Sequence, residues 1–125
     1  MRIFFSILSI AYIAVIFLFA GSPIVSTLAH YNPYSLLHIP LYGILTVLLI
    51  FSIISITQLP NYLMTRLTVV GLIASIVGIA DEIHQAYVPG RDASVGDVLL
   101  DLVGIVLVLF FFSWLFKTKT NAFTH

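Results

Sequence analysis

The sequence predicts an all-α membrane protein, four transmembrane helices in a compact bundle, and three observations predict it. The 125 residues are 61% hydrophobic and only 8% charged, with a mean hydropathy of +1.16, whereas a soluble domain carries roughly a quarter charged residues. Four apolar runs approach the ~20 residues that a spanning helix needs. The segments between them are broken by proline, glycine and asparagine. A surface this poor in charge could not keep the chain dissolved, so the class is integral membrane protein. A net charge of +0 gives no reason to expect nucleic acid as a partner. Cysteine is absent, which excludes disulfides, thiolate metal sites and a cysteine nucleophile.

The first run, residues 3–20 (IFFSILSIAYIAVIFLFA), follows Arg2. It is long for the apolar core of a signal peptide, about 7–15 residues, and is expected to stay as an uncleaved helix. Residues 21–35, with Pro23, Asn32 and Pro33, read as a loop. The second run, residues 36–56, carries His38 and Pro40 near its start, and Pro60 and Asn61 break the chain after it. The third, residues 67–87, is apolar to Ala80 and reaches spanning length by helical continuation to Tyr87. Pro89 and Gly90 then form a turn, proline favouring its first central position and glycine tolerating positive φ. The fourth run covers residues 95–116, and residues 117–125 form a polar tail. Neither a repeat nor a low-complexity tract divides residues 1–125, which read as one domain. Four spans put both termini on one side, with Arg2, Arg66, Lys117 and Lys119 against Arg91 alone on the other. The positive-inside rule makes that side the cytoplasm of a multi-pass cell-membrane protein.

All five acidic side chains fall in one stretch, DEIHQAYVPGRDASVGDVLLD, residues 81–101. Asp81 lies six residues before Tyr87 and Asp101 six residues after Val95, each roughly 9 Å from the outer end of its helix. His38 and Tyr42 lie one and two turns into the second helix from that same side. Three helices thus bring polar groups to one depth. Gly71, Ala74, Gly78, Asp81 and Gln85 share one face of the third helix, with His84 beside them, and its lower part is small, as membrane helix contacts prefer. Asp97, Asp101 and Gly104 make a similar stripe on the fourth. The expectation is a polar pocket roofed by the VPGRDAS loop and facing outward.

Structural readings compete at several of these positions. Ser94 with Asp97 three residues on looks like a helix N-cap with an acid at N3. Arg91 and Asp92 can be solvated loop charges, although Arg91 beside the turn could clamp a phosphate. Glu82 points partly away from Asp81 and could snorkel outward or pair with Arg91. His38 alone more often hydrogen-bonds between helices than catalyses, and Tyr42 more often packs. His30 and His125 lie in a loop and a tail and receive no role. Asp81 and Asp101 resist that treatment: a buried acid costs about 2.5–3.5 kcal/mol on insertion scales, while an interhelical hydrogen bond returns about 0.6.

The pattern D-E-x-H-Q-x-x-V-P-G-R-x-A-S followed by D-x-L-x-D-x-x-G resembles the signature of the VanZ-like family. It reads here as Asp81, Glu82, His84, Gln85, Val88, Pro89, Gly90, Arg91, Ala93 and Ser94, then Asp97, Leu99, Asp101 and Gly104. The family's His followed four residues later by Tyr matches His38 and Tyr42, and the likeness runs from about Leu36 to the end of the fourth helix. Many members carry an Asp-Lys pair before that His, where this chain has NPYSLLHIPLY. The resemblance implies action on phospholipid or lipid-linked cell-envelope intermediates at the outer leaflet. It also implies a contribution to glycopeptide (teicoplanin) antibiotic resistance.

An enzyme of that kind would be a lipid head-group hydrolase or transferase. Its catalytic groups would be His84 oriented by Asp81 or Asp101, with His38 as a second acid or base. Arg91, Gln85, Tyr42, Glu82 and Asp97 would bind the substrate. Apposed carboxylates could hold a divalent cation such as Mg²⁺; zinc through His38, His84 and an acid would lack a recognised spacing. The alternatives are a non-catalytic protein binding a lipid-linked precursor or amphiphilic antibiotic, and a small carrier. Against the carrier, the inner half of every helix is apolar, which leaves a proton relay no path.

Overall fold

The computed structural model describes residues 1–28, 36–54 and 62–123, and these form helices and their connections without a strand. In chain order they are α1 (Arg2–Ala20), α2 (Pro23–Leu28), α3 (His38–Ile53), α4 (Leu63–Ala86) and α5 (Val95–Phe123). The breaks expected at Asn32, Pro33, Pro60 and Asn61, together with His30 and His125, lie outside the described residues. Among the described residues, three helices are long and apolar enough to cross a membrane: α1, α4 and α5.

The second expected span is shorter than its run of apolar residues. α3 has 16 residues, about 24 Å at 1.5 Å per residue, against a hydrocarbon core of ~30 Å. Its start is set by a 3₁₀ turn at Leu36 and Leu37, and Pro40 fits because a first-turn residue has no N–H partner to lose. Its end is set by Ile54, which turns extended at φ −99° and ψ 124°. Arg2 then takes the exposed carbonyls, Nε donating to Ser52 O at 3.3 Å and Nη2 to Ile53 O at 3.2 Å, and Arg66 Nη1 reaches Ile53 O at 3.5 Å. Basic side chains commonly satisfy the last carbonyls of a helix in this way. They also show that the starts of α1 and α4 lie beside the end of α3, so α1 and α4 run antiparallel to α3.

Two further segments depart from expectation. Part of the 21–35 loop is helical: Ser22 Oγ accepts the Ile24 N–H at 3.2 Å, and Pro23 opens α2. Serine before proline starts a helix as readily as it breaks one, since proline's fixed φ suits the first helical position. The polar tail also continues α5, where the Thr118 hydroxyl donates to Trp114 O at 2.9 Å. The expected turn is present. Arg91 N–H donates to Val88 O at 3.1 Å, and Gly90 has φ +80°, the positive value that the second central position of a type II turn requires.

α3 is the central helix and packs against α1, α4 and α5. Its Tyr42, Leu45, Thr46 and Ile50 are buried together with Val70 and Ala74 of α4 and Ile105 of α5. Outside, the polarity is inverted: Ile3, Leu18, Ile76 and Phe110 are 77%, 76%, 64% and 73% exposed, while Asp81 and Asp101 are 2% and 1% exposed. An exposed apolar surface on this scale suits a lipid surround and not water. The α3–α5 seam is the tightest. A Cβ added at Gly104 would overlap the Ile39 carbonyl oxygen and lie 3.2 Å from Gly43 N, so glycine lets the two backbones meet.

Candidate functional site

Just above this seam, one turn along α5 from Gly104, Asp101 meets the first residue of α3. His38 Nδ1–H donates to Asp101 Oδ1 at 2.8 Å, with both side chains buried. That bond directs His38 Nε2 toward Asp97 Oδ2, 4.0 Å away. One turn into α3, the Tyr42 hydroxyl donates to Asp81 Oδ2 at 3.3 Å. Gly78 makes room for both contacts, since a Cβ there would come within 2.9 Å of Asp101 Oδ2 and 3.4 Å of Tyr42 Cε1.

Gln85 joins the acids to the loop. Its Nε2 amide donates to Asp81 Oδ2 at 3.0 Å and to Glu82 Oε1 at 3.2 Å, and its Oε1 accepts from Arg91 Nη2. Glu82 is buried and does not snorkel: its Oε2 accepts the Ser94 N–H at 3.0 Å. Ser94 caps α5 as expected, its Oγ accepting the Gly96 N–H at 3.1 Å. In an ordinary capping box the N3 acid reaches back to the cap N–H. Here Glu82 of α4 takes that place, and Asp97, at N3, faces His38 instead.

A cavity of about 240 Å³ adjoins the cluster. Val15, Ile16, Phe19 and Ala20 of α1, with Leu37 and Leu41, form its apolar walls, while His38, Asp81, Gln85 and Arg91 close its polar side. The cavity wall is thus mainly apolar, with polar groups at one edge. Sequence reasoning missed the α1 wall, because α1 carries no polar residue at this end to mark it. The small Ala20, only 5% exposed, is the faint trace of that packing.

Eight of the nine expected site residues gather here: His38, Tyr42, Asp81, Glu82, Gln85, Arg91, Asp97 and Asp101. His84 stands apart. Its ring lies 5.5 Å, centroid to centroid, from that of Phe17 on α1, and its Nδ1 has no hydrogen-bond partner among the described residues. The expected orientation of His84 by Asp81 or Asp101 is therefore corrected: Asp101 holds His38, and Asp81 turns to Tyr42 and Gln85. His84 lies about 60° round α4 from Asp81 and about 100° from Gln85, on the side toward α1. Asp92 is exposed and remains a loop charge.

Comparison of the chain with models of known families, with curated proteins and with solved structures returns no match.

Proposed function

We propose that this protein is a VanZ-like membrane protein that binds the head group of a phosphate-bearing lipid and acts on it. The observation that carries the reading is the juxtaposition of a hydrogen-bonded acid–histidine–arginine cluster with an apolar-walled cavity between α1, α3 and α4. An amphiphile fits, its tail against the apolar wall and its head at the polar edge. At about 240 Å³ the cavity is smaller than the ~300–1,000 Å³ of pockets that enclose a drug-sized molecule. It suits a head group and the first carbons of a tail, with the rest of the tail in the bilayer.

In this reading α3 completes a set of four spans, its turn at Leu36 and Leu37 extending it toward the outer face. Arg2, Arg66, Lys117 and Lys119 keep the termini cytoplasmic, and the cluster faces the outer leaflet. Arg91, positioned by Gln85 Oε1, contacts the phosphate oxygens. His38, held in one tautomer by Asp101, is the general base that removes a proton from the attacking hydroxyl or water. His84, turned against Phe17 of α1, does not line the cavity and takes no step in this reading. Action on lipid-linked cell-wall precursors would be the route to altered teicoplanin susceptibility.

The test is purified protein in lipid nanodiscs with labelled envelope phospholipids and prenyl-linked precursors, read for a changed head group. A new product lost in Asp81→Asn and His38→Ala, with both variants folded, supports catalysis. One lipid retained by wild type without turnover leaves a binding protein. No retention and no turnover overturns the reading.

A further inference from the structure

We propose that His38, Glu82 and Asp97 form a binding site for one divalent transition-metal ion of the Zn²⁺ or Mn²⁺ class. The three come from α3, α4 and α5, and one ligand atom from each lies within 4.8 Å of the others. His38 Nε2 and Asp97 Oδ2 are 4.0 Å apart, wider than the ~3.4 Å between two tetrahedral donors each about 2.1 Å from one ion, so the partly exposed Asp97 side chain would draw in on binding. One imidazole with two carboxylates is a borderline donor set: the nitrogen selects against Mg²⁺ and Ca²⁺, and the oxygens select against Cu⁺. Three protein ligands leave a coordination position for water or another oxygen donor, as in catalytic zinc sites.

The groups behind His38 and Glu82 are already arranged as in a metal site. A ligating histidine almost always donates its second N–H to a carboxylate or carbonyl, and ligating carboxylates are themselves hydrogen-bonded. His38 donates Nδ1–H to Asp101 at 2.8 Å, and Glu82 accepts from Ser94 N–H at 3.0 Å and Gln85 Nε2 at 3.2 Å. Each Glu82 oxygen keeps a second lone pair for an ion.

An independent observation points to a cation. Asp81 Oδ1 and Asp101 Oδ2 are buried and have no hydrogen-bond partner among the described residues. Four carboxylates, Asp81, Glu82, Asp97 and Asp101, surround His38, with Arg91 as the nearby arginine. If ionised, these carboxylates leave negative charge in excess even beside a protonated His38, and buried charges are paired or coordinate metals. Entry is available, because Glu82 also lines an open recess of about 330 Å³ between α4 and α5. The ion would take the His38 Nε2 lone pair that the lipid chemistry proposed above uses as its base, so the two roles of His38 exclude each other, and metal retention is measured apart from head-group turnover.

The test uses the full chain without a histidine tag, stripped with chelator in detergent micelles. Zn²⁺ is titrated in competition with a chromophoric chelator, metal content is measured after gel filtration, and Co²⁺ absorption reports ligand geometry. Wild type is expected to retain one ion per chain. Glu82→Gln and Asp97→Asn should each weaken binding at least tenfold. Asp101→Asn, which acts through His38, should weaken it about 10–100-fold. Asp92→Asn and the double variant His30→Ala/His125→Ala should bind as wild type does. Asp97 is half-buried in the first turn of α5, so Asp97→Asn should keep the fold and remain informative if His38→Ala does not. A cooperatively unfolding wild type that retains no ion overturns the proposal. So does metal retained unchanged by Asp97→Asn and Glu82→Gln, which would place it elsewhere.

Discussion

Gly104→Ala is a one-carbon change that should open the seam on which the site rests. The added Cβ would overlap the Ile39 carbonyl oxygen and approach the Ile39 carbonyl carbon to 3.0 Å. Both are backbone, so no side chain can swing aside. α3 and α5 must part by roughly 1 Å before ordinary contact distances return. A gap of that size forfeits about a quarter to a half of each van der Waals well of 0.1–0.2 kcal/mol. Over some tens of atom pairs along the seam the loss is about 2 kcal/mol, within the ~1–3 kcal/mol range for overpacking. Gly43→Ala, on the facing helix, is the control. Its Cβ would meet Val108 Cγ2 at 3.6 Å and Gly104 O at 3.8 Å, both ordinary contacts. The gain of about 1 kcal/mol from replacing a helical glycine by alanine is common to both variants, so their difference isolates the seam. Thermal unfolding in micelles should put Gly104→Ala about 2 kcal/mol below Gly43→Ala, roughly 8 °C at this chain length. His38 and Asp101 flank the clash, so ligand or metal affinity should fall with stability. Equal midpoints for the two variants would refute the close approach of these backbones.

Gln85→Leu should cost roughly 3–5 kcal/mol, because Asp81, Glu82 and Arg91 each lose a buried partner at about 1–3 kcal/mol apiece; a denaturation midpoint close to wild type would show that the amide does not bridge them. Arg2→Gln should cost about 0.5–1 kcal/mol, by removing the hydrogen bonds to Ser52 O and Ile53 O at the end of α3, and amide exchange should rise at the end of α3 and not at its start. A chain without native cysteine permits clean labelling: an impermeant thiol reagent added to intact cells should modify Ala93→Cys and spare Asn121→Cys, and the reverse pattern would invert the proposed topology.

Much of the site was legible because its residues announce themselves by cost. Acids in an apolar chain stand out, and helix geometry alone places Asp81 with Gln85 and Asp101 with Gly104. Tyr42 and His38 followed from the same spacing. The structural reading of Ser94 as a cap held, while Asp97, which could have been either the cap's acid or a site residue, faces His38 because Glu82 of another helix supplies the bond. The helix lengths were less legible. Hydropathy counts apolar residues through Ile56, but α3 ends at Ile53, where Arg2 captures its carbonyls from another helix. Pro23 read as a breaker and proved a starter, the difference being the serine before it.

Composition and periodicity by themselves determined that this chain is helical and suited to lipid. They also placed all its acids at one end of the bundle, with small residues on the buried face of α4. Each of those is a property of one helix and its solvent. Tertiary structure alone decided that Asp101 holds His38 and not His84, that Gln85 links two acids to Arg91, and that α1 walls the cavity. Partner choice depends on how far each helix is rotated and shifted against the next. That is set by contacts such as Gly104 against Ile39, which spacing along a single helix does not encode.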